Sequence, residues 1–268
     1  MLFMRLPGGK AKAFTLSYDD GVPEDKRLIE IMNRYGIKGS FHLNSGRYGM
    51  YDRMTLEEAK EVYTNCGHEI AIHCVNHPTL TRLDPVQQFH EIYDDRVAAE
   101  KEYGVMVRGM SYPNGPYDND TLLAVKLSGI CYSRTTQSCS KFEFPQDWLQ
   151  LRPTCHHNNP RLPELKQTFA TKELGPKDHA QMFYVWGHSY EFPRDNNWNL
   201  IEDLCSFMGG REDIWYATSI ELYDYAMAFQ RLQKSLDEKI VYNPSAQDVW
   251  FVKDGEVYCV KAGETLYL

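Results

Sequence analysis

Two alternating patterns of apolar residues organise most of the chain. Short apolar runs suited to buried strands lie at 13–17, 39–43, 69–73, 107–112, 130–134, 182–186 and 214–217. Between them, apolar positions recur at helical spacing. After Pro23, residues Leu28, Ile29, Ile31, Met32 and Tyr35 share one helix face, and Gly36 closes it. Thr55, with Glu58 three residues on, predicts a capped helix running to Cys66 and stopped by Gly67. Further helices are predicted over 85–103 with Gly104 as the stop, and over 119–128, 198–208 and 219–239. Repeated strand–helix units favour parallel strands joined by right-handed crossovers. About seven such units predict a distorted or incomplete (β/α) barrel, with a doubly wound open sheet as the alternative.

Two segments break the pattern. Residues 135–180 are polar and contain prolines, and read as a long insertion with one strand near 149–153. The last 29 residues carry short β-like runs at 240–242, 249–252, 256–260 and 265–268, and Asp254-Gly255 is a hairpin signal. The expected division is therefore a barrel domain over 1–239 and a small β appendage over 240–268.

Composition narrows the class. In 268 residues, 43% hydrophobic and 25% charged residues give an ordinary globular balance and exclude a disordered chain. The net charge of −8, without a Lys/Arg run, argues against sequence-independent nucleic-acid binding. No stretch approaches the ~18 apolar residues of a membrane span. Pro7, Gly8 and Gly9 interrupt the only apolar start, so no secretory segment is visible and the cytoplasm is the expected compartment. Seven widely spaced cysteines without a CxxC pair read as free thiols.

Four loops after predicted strands hold the candidate chemistry. Ser17-Tyr18-Asp19-Asp20-Gly21 places two carboxylates at a strand end, which suits one for a cation and one for proton transfer. By itself it also reads as a polar turn. His73 and His77, four apart, can face one point if the segment turns helically, as ligands of a divalent metal must. Nine histidines give such a spacing by chance about 0.3 times, so the pair alone is weak. Tyr112-Pro113-Asn114-Gly115 fixes a loop whose backbone N–H groups can form an oxyanion hole. His188, after the strand at 182–186, is a candidate general acid. Each signal is weak, but in an α/β barrel all four loops meet at one mouth, the C-terminal ends of the strands.

These motifs resemble the polysaccharide deacetylases with the NodB homology domain, carbohydrate esterase family 4. Ser17-Tyr18-Asp19-Asp20-Gly21 is similar to the family's Thr-Phe-Asp-Asp-Gly, and His73-Cys74-Val75-Asn76-His77 to its His-Ser/Thr-x-x-His. Ser111-Tyr112-Pro113-Asn114-Gly115 resembles its Arg-Pro-Pro-Tyr-Gly, and Val185-Trp186-Gly187-His188 its Leu-x-His. The resemblance covers about residues 10–230. It implies a divalent metal, often zinc, on Asp20, His73 and His77, with Asp19 as base and His188 as acid. It also implies N-deacetylation of an amino sugar or polysaccharide, with acetate released and a carbohydrate as the binding partner. Hydrolysis of another C–N or ester bond, or a non-catalytic carbohydrate-binding barrel, are the competing readings. Three positions depart from the family: Cys74 replaces a hydroxyl residue, Ser111 an Arg and Asn114 a Tyr. That Arg holds the catalytic Asp in the family, so another cation is expected here, and Arg152 is the candidate. His156 and His157 lie in the insertion and read as part of a plain loop, with contact to substrate as the alternative.

Overall fold

The structure, a computed structural model, describes residues 1–268. In chain order its elements are β1 (Phe3–Arg5), β2 (Lys12–Asp19), α1 (Asp25–Arg34), β3 (Gly39–Leu43), α2 (Leu56–Tyr63) and β4 (Glu69–Ile72). There follow α3 (Pro85–Tyr103), β5 (Gly109–Ser111), α4 (Asn119–Leu127), β6 (Tyr132–Arg134), β7 (Cys155–His156), α5 (Leu162–Thr171) and β8 (Gln181–Gly187). The rest are α6 (Glu191–Arg194), α7 (Trp198–Met208), β9 (Ile214–Tyr216), α8 (Ser219–Gln230), β10 (Gln233–Lys234), β11 (Ile240–Tyr242), β12 (Val249–Lys253), β13 (Glu256–Val260) and β14 (Thr265–Tyr267).

The main sheet is parallel, in the order β6-β5-β4-β3-β2-β8-β7. β8 runs along one edge of β2 from Lys12 to Tyr18. The other edge is shared: β9 pairs with Lys12–Phe14 and β3 with Leu16–Asp19. Between β6 and β8 a full strand is missing. Leu151 instead bridges to Arg134 at the end of β6, and β7, a few residues later, pairs with β8. This bent connector makes the barrel distorted, as the sequence predicts.

Alternation along β2 sorts the core. Phe14, Leu16 and Tyr18 enter a large apolar cluster under the helices. Ala13, Thr15, Ser17 and Asp19 face the barrel interior, with Tyr184 and Trp186 of β8. α8 covers that interior from below, where Ser219 bonds both Ser40 and Tyr184.

Helix starts follow the sequence signals, but α2 stops at Tyr63 with Thr64 already extended, short of the expected end at Cys66 and Gly67. Thr55 and Glu58 form a reciprocal capping box on α2. Asp84, Pro85 and Gln87 start α3, and Gly104 ends it in the left-handed conformation.

Other expectations also differ from the structure. The helix predicted over 219–239 stops at Gln230, because the chain turns into β10, which pairs with β11. The strand expected at 149–153 is a 3-10 turn at Trp148–Gln150, a bridge at Leu151 and the short β7. The insertion also carries α5, whose apolar side is Leu162, Leu165 and Phe169. Beyond α8 the tail forms two antiparallel sheets, β10-β11-β14 and β1-β12-β13. The second recruits the amino-terminal strand, which the sequence reading did not foresee. No helix is long and apolar enough to cross a membrane.

Candidate active site

Asp19 and Asp20 end the central strand. The Asp20 backbone is left-handed at φ +86°, while its N–H still bonds the His42 carbonyl at 2.9 Å. That unusual conformation turns Asp20 toward the two histidines while Asp19 stays on the interior face.

His73 follows β4, and its N–H is held by Asp95 Oδ2 at 3.1 Å. Its Nδ1 lies 2.8 Å from the Ser111 carbonyl and 2.7 Å from the Ser111 hydroxyl. An Nδ1–H that donates there leaves Nε2 free to bind a cation. His77 reaches the same point, but not through a helical turn. The loop is irregular, with Cys74 at φ +64° and His77 at φ +59°. His77 Nε2 lies 3.5 Å from Asp20 Oδ1, and His73 Nε2 lies 3.9 Å from it. Burial pushes the His73 imidazole down to about 4 despite Asp19 and Asp20, so it is neutral at neutral pH, as a ligand must be.

This trio fits a divalent ion. Asp20 Oδ1 is buried and has no hydrogen-bond partner, and one Asp and two His ligand atoms lie within 4.8 Å of one another. Arg53, almost wholly buried, approaches the other oxygen, Oδ2, at 3.3 Å. The sequence reading missed it, because it lies in a loop without strand or motif.

Asp19 is held by different partners. Arg134 makes an ion pair with its Oδ2, the Ser111 hydroxyl donates to Oδ1 at 3.0 Å, and His42 Nδ1 lies 3.3 Å from Oδ1. Burial alone would raise the Asp19 carboxyl, but Arg134 and then His73 outweigh it and hold it well below the usual carboxylate range. The expected cation, Arg152, is elsewhere: it is exposed and donates to the Gln137 carbonyl at 3.3 Å. Arg134 succeeds because it ends β6 and points inward over the Trp186 ring, 4.3 Å from its centroid. Its place at a predicted strand end was the available signal.

The 111–117 loop is a tight turn, with Gly115 N–H on the Tyr112 carbonyl at 2.9 Å. Tyr112 is buried and spends its hydroxyl on the Leu149 carbonyl at 2.8 Å and its backbone N–H on the Arg134 carbonyl at 2.9 Å, so it offers the mouth no donor. Pro113 is buried beside it, and Asn114 is exposed at φ +61° with its amide on Thr79 at 3.0 Å.

His188 follows β8. Its Nδ1 lies 3.2 Å from Glu191 Oε1. Burial lowers His188, but the Glu191 bond, then Asp19 and Asp20, prevail and raise it above its ordinary value. Gly187 must precede it, because a Cβ there would lie 2.1 Å from His157 Nδ1. Glu191 is ringed by imidazoles, with His157 Nε2 at 2.8 Å and His156 Nε2 at 3.3 Å from Oε2. The plain-loop reading of those two does not hold; β7 and the turn after it carry them to the mouth, where the alternative, contact with substrate, stays open.

The architecture defines a distorted (β/α) barrel with its polar chemistry gathered at the C-terminal ends of the strands. Residues 7–133, a little under half of the chain, match the family model described as "Polysaccharide deacetylase". The putative polysaccharide deacetylase YxkH of Bacillus subtilis (strain 168) is 27% identical over 127 residues, 47% of this chain and 45% of that protein. The match thus spans about half of that relative. A putative polysaccharide deacetylase from Mycobacterium smegmatis superposes with a TM-score of 0.60 at 14% identity, over 88% of this chain and 97% of that one. A family 4 carbohydrate esterase from Streptomyces lividans, in complex with acetate, gives 0.53 at 17% identity, over 76% and 91%. These two likenesses carry the fold. The family match stops short of Arg134, His156, His188 and Glu191.

Proposed function

We propose that the chain is a metal-dependent hydrolase that removes an N-acetyl group from an amino sugar or an oligo- or polysaccharide and releases acetate. The observation that carries the reading is the juxtaposition of a cation-ready trio, Asp20, His73 and His77, with a carboxylate and an imidazole tuned in opposite directions. A non-catalytic sugar-binding barrel has no use for that opposite tuning.

Asp20, His73 and His77 would hold a divalent ion, zinc in this proposal, which when bound would supply Lewis-acid activation of a water and of the acyl carbonyl. Asp19, kept ionised by Arg134, accepts the proton of the attacking water. Of the turn Tyr112, Pro113 and Asn114, the Asn114 backbone N–H is the donor left for the developing oxyanion, because the Tyr112 N–H is spent on the Arg134 carbonyl and the proline adds rigidity but no donor. His188, kept protonated by Glu191, gives its proton to the leaving nitrogen. Arg53 holds the outer oxygen of Asp20 and leaves Oδ1 to the ion. Glu191 and Arg134 are positioning residues, since each acts through another side chain.

The test is acetate release from a panel of N-acetyl sugars, nucleotide sugars and oligosaccharides, with chelator and then with restored metal. Release that stops with chelator and returns with zinc supports the reading. Sugar binding without turnover on every substrate, metal present, overturns it in favour of a binding protein.

A further inference from the structure

His156, His188 and Glu191 place three more ligand atoms within 4.8 Å of one another, on the opposite side of the mouth from Asp20. His156 Nε2 lies 3.3 Å from Glu191 Oε2, and His188 Nδ1 lies 3.2 Å from Oε1. Two imidazoles and a carboxylate at such spacing are an ordinary ligand set for zinc. The carboxylate is oriented from outside, as ligating carboxylates are. His157 Nε2 lies 2.8 Å from Oε2 and has its other nitrogen against the Tyr18 hydroxyl at 3.1 Å. Asn158 Nδ2 also donates to Oε2, at 3.2 Å. Arg194, 3.9 Å from Oε1, is the one competing cation at the carboxylate, and it is more than half exposed and already paired with Asp195.

We propose that His156, His188 and Glu191 form a second divalent-cation site, weaker than the trio at Asp20, and that filling it inhibits the enzyme. The inhibition rests on the proposed role of His188, whereas the binding does not. An ion entering here replaces the proton on His188 Nδ1, which goes to solvent. The coordinated ring keeps its Nε2–H, but as a neutral imidazole it is a far weaker acid than the imidazolium it replaces and no longer protonates a leaving nitrogen effectively.

Tautomers set the order of filling. His73 donates from Nδ1 to Ser111, so its Nε2 is free before any ion arrives. His156 is the reverse. The Asn158 N–H donates to its Nδ1 at 3.1 Å, which puts the ring proton on Nε2, facing Glu191. Coordination through Nε2 therefore moves that proton to Nδ1 and gives up the Asn158 bond. An outer hydrogen bond that sets a ligand's tautomer is worth on the order of 10–100-fold in affinity, and the second site is weaker by about that factor.

The experiment is equilibrium dialysis of the chain against graded free Zn2+, with metal analysis, and acetate release at each concentration. Expected are two equivalents, the second filling on the order of 10–100-fold above the first, with activity falling as it fills. His156→Gln and His156→Phe each remove only the second equivalent. In each, activity relative to that variant's own one-equivalent value no longer falls over this range. The His73→Ala, His77→Ala double variant loses the first equivalent and keeps the second. One equivalent in the wild type, or a second that persists in both His156 variants, overturns the site. Two equivalents of which the second leaves turnover unchanged overturns the inhibition. A second equivalent that depends on His156, in a chain with no turnover at any zinc level, keeps the site and overturns the reading of the enzyme instead.

Discussion

Arg134, at the end of β6, forms a buried ion pair with Asp19, 115 positions earlier at the end of β2. The two come from strands that are not neighbours in the sheet and meet only because the barrel curls. Removing one partner leaves an uncompensated buried charge, which costs about 3–5 kcal/mol. Arg134→Gln should therefore lower the urea midpoint markedly at neutral pH, and Arg134→Lys should restore part of the loss. Arg152→Ala, on the exposed loop, should stay within about 0.5 kcal/mol of wild type. Equal loss in the Arg134 and Arg152 variants would mean the ion pair is not what holds Asp19.

The same pair fixes a pH dependence. Asp19 is held below its ordinary value in the folded state, so the ionised form stabilises the fold. That stability is present above the unfolded value, near 3.9, and is lost as pH falls through the folded one. In Arg134→Gln the carboxyl rises, and the acidic limb of the pH–rate profile should move to higher pH. A limb that stays in place would detach Asp19 from the rate.

The adjacent aspartates should fail in different ways. Asp20→Asn removes an anionic ligand, so zinc occupancy falls and activity falls with it. Asp19→Asn keeps size and polarity but cannot accept the proton. Metal binding should remain near wild type while kcat drops on the order of 10²–10⁴-fold. Metal content measured beside steady-state rates separates the two. Loss of metal from the Asp19 variant alone would exchange their roles.

The strand–helix alternation and the two acidic and histidine motifs were legible because each is local: a run, a cap, or a spacing within a few residues. Gly39–Leu43, Pro85–Tyr103 and Trp198–Met208 agree with the periodicity to the residue. The unread parts are set by distance in space. Arg134 outcompeted Arg152 for Asp19 through barrel curvature, which no spacing records. Glu191 is three residues past His188, yet nothing in a polar turn says that three imidazoles converge on it. β1 was invisible because its partner, β12, lies at the far end of the chain. The helix overran to 239 because residues 231–239, polar apart from Leu232 and Leu236, are compatible with either state.

Glu191 gives a prediction that a structural role alone does not. It raises His188, so the protonated acid persists to higher pH. Glu191→Gln should drop the His188 value and shift the basic limb of the pH–rate profile to lower pH. The rate at pH 6 should suffer less than the rate at pH 8, and metal at Asp20 should be retained. A uniform loss at both pH values, with the limb unmoved, would make Glu191 only a packing residue.

Asp25 supplies the stability test of opposite sign. It begins α1 fully buried, between the Ser189 and Tyr63 hydroxyls, which both donate to it. Burial nevertheless dominates, and its carboxyl is pushed up to about 7. The folded chain therefore keeps a proton that the unfolded chain releases near pH 4. Stability from this group is complete below the unfolded value and is lost as pH rises toward 7, then stays flat. Asp25→Asn is neutral throughout and cannot show that loss. With chelator present, so that no ion at Asp20 alters the balance, the variant should gain on wild type between pH 5 and pH 8. The gain is on the order of 2–3 kcal/mol, since one pKa unit corresponds to about 1.4 kcal/mol. Urea unfolding of both proteins across that range measures it. A constant difference would mean that Asp25 is already ionised in the fold, its two hydroxyl donors outweighing burial.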